Sequence, residues 1–159
     1  LMGYTSRFLT LTKGTGVINR IFHGYGKFEG EMDGRKNGAL ISMSTGKAVA
    51  FAIFNLQARG EMFVTHNDPV YEGMIVGLTP KPGDMIINVM KGKQLTNMRT
   101  QGTDENVVLT PVRQMSIAEQ LSMLNTDEAL EITPKSLRLR KAILNPHDRK
   151  KSEKSGAAA

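Results

Sequence analysis

The stretch from Ala39 to Thr110 most restricts what this chain can fold into. Its apolar residues come in short runs, Ala39 to Met43, Lys47 to Leu56, Met62 to Val64, Met74 to Thr79, Met85 to Val89 and Val107 to Thr110, parted by Gly, Pro, Asn and Asp. Runs of this length bounded by turn formers predict β-strands. Several of them in succession predict an antiparallel sheet or a barrel-like arrangement. The longest wholly apolar run, Ala48 to Phe54, falls far short of the roughly 20 residues a membrane-spanning helix needs. With no charged and apolar leader at the start, the expected compartment is the cytoplasm.

Helical signals flank this β-rich stretch. Tyr4, Phe8 and Leu11 share one face of a segment running from Met2 to Thr12, and Lys13 and Gly14 then supply a basic last turn and a stop. Gly16 to Tyr25, with Val17, Ile18, Ile21 and Phe22, predicts a strand covered on both faces. Five glycines between Gly24 and Gly38 predict a linker and a domain boundary. Further on, Ser116 and Glu119 have the spacing of a reciprocal helix cap, with Ile117, Leu121 and Leu124 on one face. Strands near Leu130 to Thr133 and Leu137 to Leu139 are expected to close the fold.

The expected class is therefore α+β. A predominantly antiparallel domain with one or two short helices spans 29–146, a separate helix and strand precede it over 1–28, and a basic tail follows over 147–159. The tail is expected to be disordered, although Asn145 and Pro146 form a helix-starting pair.

Several kinds of chemistry are excluded. There is no cysteine, and His23, His66 and His147 lie far apart, so neither a disulfide framework nor a structural metal is expected. A phosphate-cradling loop needs Gly, four residues, then Gly-Lys-Ser/Thr; Gly46 and Lys47 are followed by Ala48 and lack the first glycine. Gly14 and Gly16 precede a predicted strand, whereas a dinucleotide loop follows one. His66, Asn67 and Asp68 stand before Pro69, where turn chemistry explains them better than acid and base catalysis. No catalytic residue, cofactor or small-molecule substrate is expected.

Charge and one long connection point instead to nucleic acid. Between Lys135 and Lys154 eight basic residues face two acidic ones, which accounts for the whole formal net charge of +6. Arg138, Arg140, Lys141, Arg149, Lys150 and Lys151 form the expected basic patch there. A solvated helix face explains this composition equally well. The connection from Met90 to Glu105 is far longer than a hairpin requires, and loops beyond about 12 to 15 residues are commonly functional or disordered. Lys91, Lys93 and Arg99 can neutralise phosphates, Gln94, Asn97 and Gln101 can meet base edges or ribose hydroxyls, and Gly92 and Gly102 admit a close backbone approach.

The runs AVAFAIFNLQARG (Ala48 to Gly60), VYEG (Val70 to Gly73), GKQLTNMR (Gly92 to Arg99), GTDE (Gly102 to Glu105) and TPKSLRLRK (Thr133 to Lys141) resemble the C-terminal portion of the BipA/TypA family of ribosome-associated translational GTPases. The likeness runs from Leu1 to about Lys151. It departs from the family at Asn67 to Pro69 and in the Lys81 to Asp84 turn, which affects local contacts only. The resemblance implies that Leu1 to about Phe28 is the last helix and strand of a ferredoxin-like domain V as in elongation factor G. About Glu29 to Pro146 is then the family-specific domain. That domain is expected to reach the large-subunit rRNA near the peptidyl-transferase centre, with its long loop at the acceptor end of A-site tRNA. Lys91, Lys93, Gln94, Asn97 and Arg99 fall within the matching motif and are the candidate RNA contacts. GTP and Mg would belong to domains outside this chain, in a parent acting in translation, ribosome assembly and stress response. A competing expectation is a scaffolding module that docks on the GTPase domains or on ribosomal proteins without touching RNA.

Overall fold

A computed structural model describes residues 4–27, 35–92 and 108–156. Its architecture is α+β, built from small, mostly antiparallel sheets and a few short helices, and the sheets do not close into a barrel. The centre is a four-stranded sheet of β1 (Ala39–Ser42), β3 (Glu61–Met62), β5 (Ile75–Leu78) and β6 (Met85–Ile87), in the order β3-β5-β1-β6. β1 runs antiparallel to β5, with Leu40 opposite Gly77, and parallel to β6, with Leu40 opposite Met85. That one parallel pair needs a crossover and is the departure from an all-antiparallel sheet.

The sheet is a middle layer, which explains why β1 and β5 are apolar without alternation: every residue of both strands is buried. Leu40, Val76 and Ile87 face a core completed by Ala48, Ile53, Met62, Val64, Val70, Met74 and Val89. Much of this side comes from β2 (Gly46–Lys47) paired with β4 (Pro69–Val70), and from α2 (Ala50–Gln57). Ala39, Ile41 and Ile75 point the other way, onto Leu139, Leu124, Leu130 and Met115. That side is covered by Met115 and Leu124, which flank α3 (Ile117–Ser122), and by the hairpin of β7 (Glu128–Ile132) with β8 (Leu137–Lys141). Full burial of a Leu, Ile or Val side chain contributes about 1.5–3 kcal/mol, so these two cores dominate the stability.

Three strand expectations are corrected. The run Lys47 to Leu56 gives only the end of β2 and then a helix, because Ala48, Ala52, Ile53 and Leu56 recur at helical spacing and meet the core together while Phe54 stays exposed. Gly16 to Tyr25 forms no strand; Ile21 is 92% and Tyr25 99% exposed, and no described strand pairs with this segment. Val108 to Thr110 is also irregular, with Leu109 packed on the core by its side chain alone. Elsewhere the expected elements are present: α1 (Tyr4–Leu11), the Ser116 cap of α3 and the β7–β8 pair. Where a disordered tail is expected over 147–159, the described part is instead helical as α4 (Pro146–Gly156), begun by the Asn145-Pro146 pair.

Candidate nucleic-acid interface

The long connection leaves the fold from a firm stem. Val89 is buried and its carbonyl accepts the Val49 N–H at 2.9 Å, while Met90 packs on the same core. A Cβ on Gly46 would lie 2.3 Å from the Met90 sulfur, so this glycine makes room for the stem. The Asn88 carboxamide oxygen accepts the Met90 N–H at 2.9 Å and turns the chain outward. Lys91 and Gly92 follow, both exposed. Lys93, Gln94, Asn97 and Arg99 lie outside the described residues, as does the loop to residue 107. The chain returns at Leu109, which packs on the same core as Met90. Both stems are thus held by one apolar cluster.

The basic patch divides once the chain is folded. Lys141 is a correction: it is 1% exposed, and its ammonium lies 2.5 Å from Asp84, 2.6 Å from Asp127 and 3.0 Å from Glu128. A lysine so enclosed has no face to offer a phosphate. Arg138 is partly drawn to Glu131 at 3.6 Å, and Arg140 donates to the carbonyls of Lys141 and Ala142. Arg149 donates to the carbonyls of Ile143 at 3.0 Å and Leu144 at 2.6 Å, which orients its guanidinium at the start of α4. Lys150 and Lys151 are exposed.

Around Lys141 the charges form a network that the sequence does not announce. Arg35 donates to both Glu128 carboxylate oxygens, at 2.7 and 3.1 Å, across 93 positions of chain. Burial alone would lower the Lys141 pKa, but its bonds to Asp127, Asp84 and Glu128 outweigh that and raise it. Burial alone would raise the Asp84 carboxyl, yet hydrogen bonds from Lys141 and the Ala39 N–H hold it below the usual carboxylate range. The members become short-range partners only after the hairpin has docked on the sheet, so no contiguous motif carries the signal.

Beside the network opens a groove of about 500 Å³, between the entry to β1, the β5–β6 turn, the entry to β7 and the start of α4. Four cations, Arg35, Lys36, Arg149 and Lys150, and two carboxylates, Asp84 and Asp127, line it.

The residues do not fit a nucleotide triphosphate site of the phosphate-loop kind. Gly46 and Lys47 sit in β2, paired with β4, rather than on a turn that opens a helix. No described group of three His, Cys, Asp or Glu could hold a metal ion. His66 to Asp68 form a turn, with the Thr65 N–H donated to the Asp68 carboxylate at 2.7 Å and Asn67 at φ 69°. No helix among the described residues is long and apolar enough to cross a membrane.

The family model for the TypA/BipA C-terminal domain matches residues 37–146. The large ribosomal subunit assembly factor BipA of Buchnera aphidicola subsp. Schizaphis graminum (strain Sg) is 48% identical over 155 residues, which is 97% of this chain and 26% of that protein. Proteins of the same name from Salmonella typhimurium (strain LT2) and Escherichia coli (strain K12) are each 45% identical, over 97% and 98% of this chain and 26% of theirs. The chain spans about a quarter of the length of these curated relatives.

Proposed function

The chain belongs to the TypA/BipA C-terminal domain family, and from that premise we propose that it is the ribosome-contacting module of a cytoplasmic translational GTPase acting in large-subunit assembly. Its relatives are named as large ribosomal subunit assembly factors, which supports the ribosome as the partner. The RNA part of the reading rests on one observation above others: a loop carrying Lys91, Lys93 and Arg99 springs from two stems fixed on a single core cluster. Rigid stems present a cationic loop at a defined place at little ordering cost to the domain itself. Large-subunit rRNA and the acceptor end of A-site tRNA are the RNA partners, with Gln94 and Asn97 at base edges or ribose and the cations on phosphates. GTP hydrolysis and its Mg belong to the rest of the parent, whose broader role extends to stress response.

Salt dependence tests this directly. Each phosphate neutralised on a single strand contributes about −0.7 to the slope of log K against log salt. Replacing Lys91, Lys93 and Arg99 together is expected to flatten that slope by roughly 2. An unchanged slope, with ribosome crosslinks confined to ribosomal proteins, would instead establish the scaffolding role.

A further inference from the structure

The groove beside the Lys141 network is lined by residues outside the long connection from Met90 to Glu105. β6 connects the two: Asp84 and Ile86 border the groove at its start, and the loop leaves just past its end. From Asp84 to Val89 an extended chain spans about 16 Å, a distance that a few nucleotides of one strand can bridge, so one strand can reach both places.

We propose that this groove holds one unpaired nucleotide of an RNA strand, as a second contact beside the loop. The inference deepens the RNA-binding reading and rests on it. Lys36 and Lys150 are exposed and have no carboxylate within 4.0 Å among the described residues, so their charges are available to a phosphate. Arg149 is held at the same rim by its two carbonyl bonds, which fix the position of its guanidinium. The acidic side of the groove is already answered from beneath: Lys141 engages Asp84 and Asp127, so the rim remains cationic.

Shape and lining agree with a nucleotide rather than a bare anion. About 500 Å³ lies in the range of small-ligand pockets, roughly 300–1,000 Å³. Ile86, 40% exposed, gives an apolar surface for the face of a base. The Asn125 carboxamide, which makes no hydrogen bond to a described residue, brings both a donor and an acceptor to a base edge or the ribose hydroxyl. An acidic peptide would satisfy the cations but leave Ile86 and Asn125 without a role.

Binding of a fluorescein-labelled single-stranded RNA 12-mer, followed by anisotropy over a salt series, tests the assignment. Lys36→Ala with Lys150→Ala, both at exposed positions, is expected to flatten the salt slope by about 0.7 for each phosphate no longer neutralised. Asn125→Ala is expected to weaken binding several-fold with the slope unchanged. Poly-glutamate of matched charge is expected to compete poorly. If the lysine variant keeps the wild-type slope while the loop variant flattens it, the groove assignment falls and the loop reading stands. Equal competition by poly-glutamate also overturns the groove assignment. If the wild-type protein gives no measurable RNA binding, the RNA-binding reading fails and the groove assignment fails with it.

Discussion

Lys141 is a buried counter-ion that lets three carboxylates, Asp84, Asp127 and Glu128, share one place. Removing one partner from such a group leaves uncompensated charge, at a cost of about 3–5 kcal/mol. Lys141→Ala is therefore expected to lower the urea-unfolding free energy by that amount, whereas Lys151→Ala on the exposed face should leave it nearly unchanged. Along the chain the two lysines belong to the same basic stretch, and only the strand alternation that puts Lys141 on the face of Leu137 and Leu139 distinguishes them.

The same network gives the pH dependence its sign. The folded Asp84 carboxyl lies below its ordinary 3.8, so its contribution is present above that value and lost as pH falls below it. Lys141 is raised above its ordinary 10.5, so its contribution is present below that value and lost as pH rises past it. Tyr71, pushed up to about 12 by burial and by the hydroxyl's 2.5 Å bond to Glu131, also loses stability on the alkaline side, between about 10 and 12. Urea midpoints are expected to be flat through neutrality and to fall at both extremes; a midpoint that fell between pH 5 and 9 would contradict these assignments.

At the scale of elements, local rules succeed where the decisive interactions are local. The Ser116 hydroxyl accepts the Glu119 N–H and the Glu119 carboxylate accepts the Ser116 N–H at 3.0 Å, as the spacing of the two residues predicts. Ser116→Ala is expected to cost about 1 kcal/mol in thermal or urea unfolding. Gly73 has a larger role that its place in the VYEG run does not disclose. At φ 82° it occupies the left-handed region, and a Cβ there would lie 2.7 Å from the Leu144 Cα. Its N–H is donated to the Ser42 carbonyl and its own carbonyl accepts from the Lys141 N–H, joining the sheet to the hairpin. Gly73→Ala is expected to cost about 2 kcal/mol or more and to loosen the hairpin first, as hydrogen exchange at Leu139 would report. The segment Ala48 to Leu56 departs from its expected strand for the opposite reason: a short apolar run serves a strand or a buried helix equally well, and the core beside β2 decides between them.

At the scale of the whole molecule, three layers put the groove and the point where the long connection leaves the fold at the two ends of β6, an edge strand of the central sheet. Nothing among the described residues cradles a triphosphate, and the chain is expected to hydrolyse GTP at the background rate in a phosphate-release assay. Turnover above background would overturn the division of labour proposed for it.

The α+β class, most strands of the central sheet, the Ser116 cap, the helical start at Pro146 and the family are legible along the chain, because each is written in contiguous residues through periodicity, turn chemistry or a motif. Folding in three dimensions settles the rest: Gly16 to Tyr25 has no partner strand among the described residues, Ala50–Gln57 is a helix, Lys141 is a buried counter-ion, and Lys36 and Lys150 line one groove. These outcomes depend on which distant segments come within a few ångströms of one another. Coulomb and packing energies act over such distances in space, whatever the separation along the chain.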